Sequence, residues 1–200
     1  MDAAAIDALI AETLRSDASA ECPDRYPQRD KAAGLENLLY RCADCGALYT
    51  TRGKGNTLFC TACGARHSLD ETYRFTDAIG SIPVYYDRIR ALELAGLDGF
   101  SLRAEVETKV YGPDGRVVKK ERGTCTLTPE AFSYRSATGD FSIPTEQLPA
   151  LAFSCGKEFE LYHDKLLYYF YPLDAPQQVA RWALLVDLLA EKRREKVDIT

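Results

Sequence analysis

No stretch of this chain approaches the roughly 18–20 uncharged apolar residues that a helix needs to cross a bilayer, so no membrane-spanning helix is expected. The amino terminus lacks the basic start and apolar core of a signal peptide. It carries Asp2, Asp7 and Glu12 instead, which points to a cytoplasmic protein. Also missing is a strong excess of either charge: 25 Lys and Arg stand against 30 Asp and Glu, a net charge of −5, and 46% of residues are hydrophobic. That balance excludes a disordered chain and speaks against a partner gripped mainly through phosphates. Histidine is scarce, with only His67 and His163 present. His163-Asp164 has the makings of a base and its orienter. Adjacent strand residues point to opposite faces, however, and no nucleophile stands beside them in sequence, so a hairpin turn is the better reading. No catalytic residue is assigned.

Cysteine is what the chain does have. Four of its seven cysteines form two tight pairs, Cys42-Ala-Asp-Cys45-Gly46 and Cys60-Thr-Ala-Cys63-Gly64, while Cys22, Cys125 and Cys155 stand singly. An odd count argues against a disulfide framework and for a reducing compartment. Two residues between cysteines let a tight turn aim both thiolates at one point, about 2.3 Å from a metal. A glycine after each pair allows a positive φ and frees backbone N–H groups to bond the sulfurs. The pairs lie fourteen residues apart, the pattern of a zinc ribbon. Four soft thiolates favour tetrahedral zinc, with rubredoxin-like iron as the competitor. A redox pair would need a strand–CxxC–helix setting that neither pair has. Four protein thiolates also close the coordination shell, whereas a catalytic zinc keeps one position open to water. Cys42, Cys45, Cys60 and Cys63 are therefore expected to hold a structural Zn2+. His67 is read as a surface strand histidine rather than a ligand, and Cys125 and Cys155 as small core residues.

Periodicity divides the chain into four parts. Residues 1–34 hold a short amphipathic helix at 3–15, with Ile6, Leu9, Ile10 and Leu14 on one face and Asp2 as its N-cap, then a polar arm at 16–34. The ribbon occupies 35–75, with strand-like segments at 47–50 and 57–59 around a glycine-rich turn at 52–56, and a third strand at 66–75. So small a module cannot bury a sufficient core alone; structural zinc, typically worth about 10–16 kcal/mol, would make up the deficit. Residues 76–99 contain a connecting helix at 82–95, capped by Ser81, with Pro83 in its first turn and Gly96 after its end. Its apolar face is Val84, Tyr85, Ile89, Leu92 and Leu94.

In the fourth part, 100–200, the period becomes alternating. Strands are expected at 100–111, 116–127, 131–136, 140–143, 148–154, 157–163 and 166–171. Their spacing leaves no room for crossover helices, so they should be antiparallel. A final helix follows, with Asp174 as N-cap, Pro176 in the first turn and Gln177 completing a capping box. Val179, Trp182, Ala183, Val186, Leu189 and Ala190 make its apolar stripe. The expected fold is thus α+β, mainly β: a four-cysteine zinc ribbon, then a pleckstrin-homology-like antiparallel β-barrel or sandwich capped by the C-terminal helix, with Trp182 as the plug. That last step is analogy from element order, and fold alone does not reveal function.

The stretch Gly34-Leu35-Glu36-Asn37-Leu38-Leu39-Tyr40-Arg41-Cys42-x-x-Cys45-Gly46, with Gly53-Lys54-Gly55-Asn56 and Cys60-x-x-Cys63-Gly64, resembles the region after the catalytic domain in bacterial (clostridia-like) 1-acyl-sn-glycerol-3-phosphate acyltransferases. There the last helix of the acyltransferase domain leads through a linker to a zinc ribbon and a β-rich segment. The resemblance implies that residues 3–15 correspond to that last helix. The family's His-x4-Asp catalytic motif has no counterpart here: Thr72 stands five places after His67, and Tyr168 five after His163. What the resemblance implies is a non-catalytic accessory module of phospholipid biosynthesis, partnered by an acyltransferase domain or another protein.

Two further partner surfaces are legible. Lys109, Lys119, Lys120 and Arg122 cluster on the first hairpin of the β-domain and are candidates for an anionic membrane surface or a protein partner, against the simpler reading of a solvated strand that blocks aggregation. Between Arg41 and Arg74 the ribbon holds Arg41, Arg52, Lys54, Arg66 and Arg74 against Asp44, Asp70 and Glu71. Nucleic-acid binding is the alternative this excess offers, and the acidic chain weighs against it.

Overall fold

A computed structural model describes residues 2–14 and 24–198. Cys22 and the first part of the polar arm, 16–23, lie outside the described residues. Helix α1 (Ala3–Leu14) is capped as expected, Asp2 Oδ1 accepting the Ala5 N–H at 2.8 Å. Its apolar side chains Ile6, Leu9 and Ile10 are exposed. The rest of the arm is docked against the ribbon: the Tyr26 N–H donates to Glu71 O and the Ala32 N–H to Gly55 O, at 2.7 and 3.0 Å.

After the single turn α2 (Leu35–Leu38) come three short antiparallel strands, β1 (Thr51–Lys54), β2 (Thr57–Cys60) and β3 (Arg66–Ser68), in that order across a small sheet. Two expectations are corrected here. The first strand begins at Thr51 rather than 47, because Tyr49 adopts φ 58° and only an isolated bridge, Arg41 to Leu48, precedes it. The third strand stops at Ser68, because Asp70 Oδ1 turns back to accept from the N–H groups of Thr72 and Arg74; Phe75 rejoins by a lone bridge to Leu69. Gly53 is required where it stands: a Cβ there would lie 1.8 Å from the Ala32 carbonyl oxygen of the docked arm.

Helix α3 (Ile82–Ala95) has its expected boundaries, with Ser81 Oγ accepting the Val84 N–H and Gly96 at its end. Of the predicted apolar face Tyr85 and Ile89 are buried, but Leu92 is half-buried, Val84 and Leu94 are exposed, and Glu93 is the third buried residue. Glu93 takes their place because it meets two arginines and a tyrosine inside the molecule.

Seven antiparallel strands follow, close to the predicted segments: β4 (Leu102–Tyr111), β5 (Val117–Leu127), β6 (Ala131–Ser136), β7 (Gly139–Pro144), β8 (Ala152–Ser154), β9 (Glu158–His163) and β10 (Leu166–Pro172). They form one curled sheet, a half-barrel, in the order β7-β6-β5-β4-β10-β9-β8. Alternation along β4 is regular, with Leu102, Ala104, Val106, Thr108 and Val110 inward and the residues between them outward. The inner face packs rings: Phe170 meets Phe132 and Phe159, at 5.7 and 5.2 Å, and those two meet Trp182 of helix α4 (Gln178–Asp198), which stacks on Phe159 at 4.9 Å and sits edge-on to Phe132 at 6.0 Å. Burying one such ring contributes about 1.5–3 kcal/mol.

Helix α4 starts later than the sequence suggests. Residues 174–177 form a turn in which the Gln178 N–H reaches Ala175 O, so neither Asp174 nor Gln177 caps it. Gln177 does something else. Its side-chain Nε2 donates to Thr51 O at 2.9 Å and Glu36 O at 3.4 Å, and its Oε1 accepts from Arg52. Leu184, Leu185 and Leu188 are buried as well as the predicted Val179, Trp182, Ala183, Val186 and Leu189, while Ala190 is half-buried. The apolar core accordingly runs without a break from Ala32, Leu39 and Leu58 through Tyr85 and Ile89 to the curled sheet and α4.

Candidate metal centre

The two cysteine pairs are built alike. In the first, the Gly46 N–H donates to Cys42 O (2.9 Å) and the Cys42 N–H to Ala47 O (3.0 Å). In the second, the Gly64 N–H donates to Cys60 O (3.0 Å) and the Cys60 N–H to Ala65 O (2.9 Å). Gly46 and Gly64 both have positive φ, 73° and 78°, which a side chain would strain. The first knuckle follows α2; the second caps the end of β2, whose register with β1 places Cys60 opposite Thr51.

The four Sγ atoms lie within 4.8 Å of one another, with Cys42 to Cys63 at 3.7 Å and Cys45 to Cys60 at 3.8 Å. A disulfide would bring a pair to about 2.05 Å. A tetrahedron of sulfurs about 2.3 Å from a central ion has edges of about 3.8 Å, so the spacing fits a tetrathiolate metal site. Cys42 and Cys60 are buried, Cys45 and Cys63 exposed. Burial pushes the Cys42 thiol up to about 12. Burial opposes ionisation of Cys60 too, but hydrogen bonds from Thr50 Oγ1 (3.3 Å) and from backbone N–H groups of Cys63 and Ala62 outweigh it and bring the thiol down to about 6. Four thiolates so close repel one another unless a cation lies among them, and a metal that binds deprotonates them outright. These residues can hold a metal ion.

His67 is not at the surface, contrary to the sequence reading. It is 7% exposed, its ring nitrogens held by Asp44 and Asp77, because its neighbours Phe75 and Tyr85 cover the face of β3 that carries it. Cys155 is a second correction. It lies exposed in the turn between β8 and β9, since Gly156 with φ 74° ends the alternating pattern there. Cys125 is in the core as expected, and burial holds its thiol well above the usual range.

The ionic cluster beside the knuckle is absent from the sequence reading. Glu93 of α3, 3% exposed, lies 3.3 Å from Arg41 Nη1 and 3.1 Å from Arg181 Nε, accepts from Arg181 Nη2 at 3.2 Å, and takes the Tyr40 hydroxyl at 3.3 Å. A usable signal existed: Glu93 continues the Tyr85–Ile89 spacing of four. Of the ribbon's five cations, Arg41 and Arg52 are occupied internally, Arg52 donating to Tyr49 O, Thr51 O and Gln177. Arg66 lies over the Phe59 ring at 5.6 Å.

The hairpin cations divide between the faces of the sheet. Lys109, Lys120 and Arg122 lie outward, Lys109 resting over the Tyr171 ring at 4.7 Å and facing Lys120 directly across β4–β5. Lys119 turns to the other face and pairs with Glu121 at 2.8 Å. His163 ends β9 with its ring stacked on Phe141 at 4.4 Å, and Asp164 and Lys165 make the turn at positive φ. Among the described residues no helix is long and apolar enough to cross a membrane.

No family model matches the chain, and no curated protein matches it. Among solved structures it is similar to the N-terminal PH domain of human ARAP2, at 12% identity over 46% of this chain and 81% of that one, with a TM-score of 0.34. It is also similar to the C-terminal domain of an unknown protein from Leishmania infantum, at 16% identity over 52% of this chain and 94% of that one, with a TM-score of 0.32.

Proposed function

We propose that this chain is a non-catalytic docking module: a zinc ribbon fused to a pleckstrin-homology-like β-domain, serving phospholipid biosynthesis at a protein or membrane surface. The observation that carries it is the sulfur tetrahedron of Cys42, Cys45, Cys60 and Cys63, whose 3.7 and 3.8 Å edges suit zinc. Zinc would hold the two knuckles together and support a ribbon whose own strands are three and four residues long. With four protein ligands the shell is closed, so the metal's part is structural. The antiparallel run of seven strands followed by a helix supports the pleckstrin-homology-like reading. The setting in phospholipid synthesis rests on the resemblance of 34–64 to the tail of bacterial lysophosphatidate acyltransferases. Docking rests on the outward cations Lys109, Lys120 and Arg122.

The test has two arms. Protein purified without added metal should contain about one zinc per chain, and Cys42→Ser should lose both metal and ribbon order; a folded, metal-free ribbon refutes the metal reading. Flotation with anionic vesicles should retain the wild type and release Lys109→Glu/Lys120→Glu. Equal behaviour on neutral and anionic vesicles removes the membrane from the proposal and leaves a protein partner.

A further inference from the structure

The first knuckle is held from outside by two side chains that are not ligands. His67 Nε2 lies 2.8 Å from Asp44 Oδ2, and Nδ1 lies 2.8 Å from Asp77 Oδ2. Asp44 stands between Cys42 and Cys45. Asp77 belongs to the loop that leads into α3, where its other oxygen accepts the Ile79 N–H at 2.9 Å. Tyr85, on the first turns of α3 and 1% exposed, accepts the Ala43 N–H on its hydroxyl at 3.1 Å. The His67 ring packs edge-on against Tyr85 at 5.5 Å, so both contacts belong to one assembly.

Ala43 and Asp44 are the two residues that separate the cysteines of the first pair, and their backbone sets where both sulfurs point. A third tie runs from Arg41, next to Cys42, to Glu93 near the end of α3. Helix α3 is therefore bound to the knuckle at its entry loop, its first turn and its last turn. Glu93 hands the connection on to Arg181 of α4.

We propose that His67 and Tyr85 are positioning residues of the metal centre: they pass the closure of the first knuckle to α3, so that metal occupancy sets how firmly α3 is seated against α4. This rests on reading the thiol cluster as a metal site. With the sulfurs gathered, Ala43, Asp44 and Arg41 meet their three partners at once. When the sulfurs part, the turn that carries Ala43 and Asp44 moves, and the three ties are no longer satisfied together. Side chains around a metal centre commonly fix ligand orientation in this way.

The experiment uses the full chain loaded with Co2+, whose absorption bands report tetrahedral thiolate coordination, and amide hydrogen exchange across 82–95 before and after chelation. In the wild type, exchange in α3 should quicken about tenfold or more on metal removal, the signature of local opening. His67→Gln and Tyr85→Phe should still give the tetrathiolate spectrum at one cobalt per chain, but α3 should exchange fast even when loaded. Tyr85→Phe removes a single oxygen, which keeps the test usable if the histidine variant misfolds. Unchanged α3 exchange on chelating the wild type overturns the proposal, as does full metal dependence retained in Tyr85→Phe and His67→Gln. Failure of the underlying metal reading looks different: the wild type would then show no cobalt–thiolate spectrum at all.

Discussion

Glu93→Gln should be among the most damaging single-atom exchanges in this protein. Glu93 is 3% exposed, and the Arg41 and Arg181 side chains that flank it are 20% and 15% exposed. Two guanidiniums share one carboxylate, so the cluster already carries an excess positive charge. Neutralising Glu93 leaves both cations facing each other and an amide, with little water to take the carboxylate's place. Removing one partner of a buried pair typically costs about 3–5 kcal/mol. Partial exposure of the arginines lets them reach solvent and places the expected loss near the lower end, about 3 kcal/mol. For a chain of this length that corresponds to a fall in Tm of about 6–12 °C. Urea denaturation read by far-UV circular dichroism measures it directly. A double-mutant cycle with Arg181→Met should return a coupling above about 1 kcal/mol, as contacting residues do. A loss below about 1 kcal/mol, or additivity of the two changes, refutes the view that this cluster ties α3 to α4.

Glu121 supplies a pH test. Its burial opposes ionisation, but hydrogen bonds from Lys119, Thr138 and Ser136 outweigh that and hold its carboxyl below the ordinary value. A depressed folded-state value means that its contribution is complete above the unfolded value and is lost as pH falls through the folded one. Wild type should therefore exceed Glu121→Gln in Tm at neutral pH and converge with it as pH falls below the ordinary carboxylate range; a constant gap contradicts this. Gly53→Ala must displace the arm at Ala32 and should cost about 1–3 kcal/mol, read from denaturation midpoints; a change within about 0.5 kcal/mol would show that the arm is not seated. Peptide-resolved thiol labelling of the native protein should modify Cys155 while leaving Cys125 untouched until unfolding, the opposite ranking being inconsistent with their exposure.

How much of this was legible depends on whether the signal was local. The seven strands were, because β4 alternates regularly and turn residues such as 112–115 before β5 mark where strands end. The gathering of the four cysteines was, because two residues between cysteines and a glycine after them make a turn that brings both sulfurs to one side. Partners distant in sequence were not. Nothing near Gln177 says that it will bridge Thr51 and Glu36, more than 120 residues away in the chain. Helix α4 shows the same limit. Its stripe of Val179, Trp182, Val186 and Leu189 is legible, and all four are buried, Trp182 against the rings of the sheet. A second row, Arg181, Leu184, Leu188 and Glu191, has the same helical spacing. Its charged ends find partners on α3, Arg181 meeting Glu93 and Glu191 meeting Arg90, which no local pattern announces. The burial of His67 escapes the sequence for a related reason: a three-residue strand has too little periodicity to say which face is covered.

The outer face of the β-domain carries a pairing that folding alone does not favour. Across β4 and β5, Glu107 stands opposite Arg122, a favourable match, whereas Lys109 stands opposite Lys120. Like charges directly opposed across a sheet are destabilising, by the same few tenths to about 1 kcal/mol that opposite charges contribute. Lys109 recovers part of this over the Tyr171 ring. Lys120 is exposed and has no carboxylate within ion-pair reach among the described residues. Lys120→Glu should therefore stabilise the free protein by about 0.5–1 kcal/mol while weakening attachment to anionic vesicles. Opposite signs from one substitution separate a docking residue from a solvated strand cation, for which binding would not change. A stability gain with unaltered flotation would refute the assignment of this face to an anionic surface and leave the lysine pair as an edge of ordinary sheet chemistry.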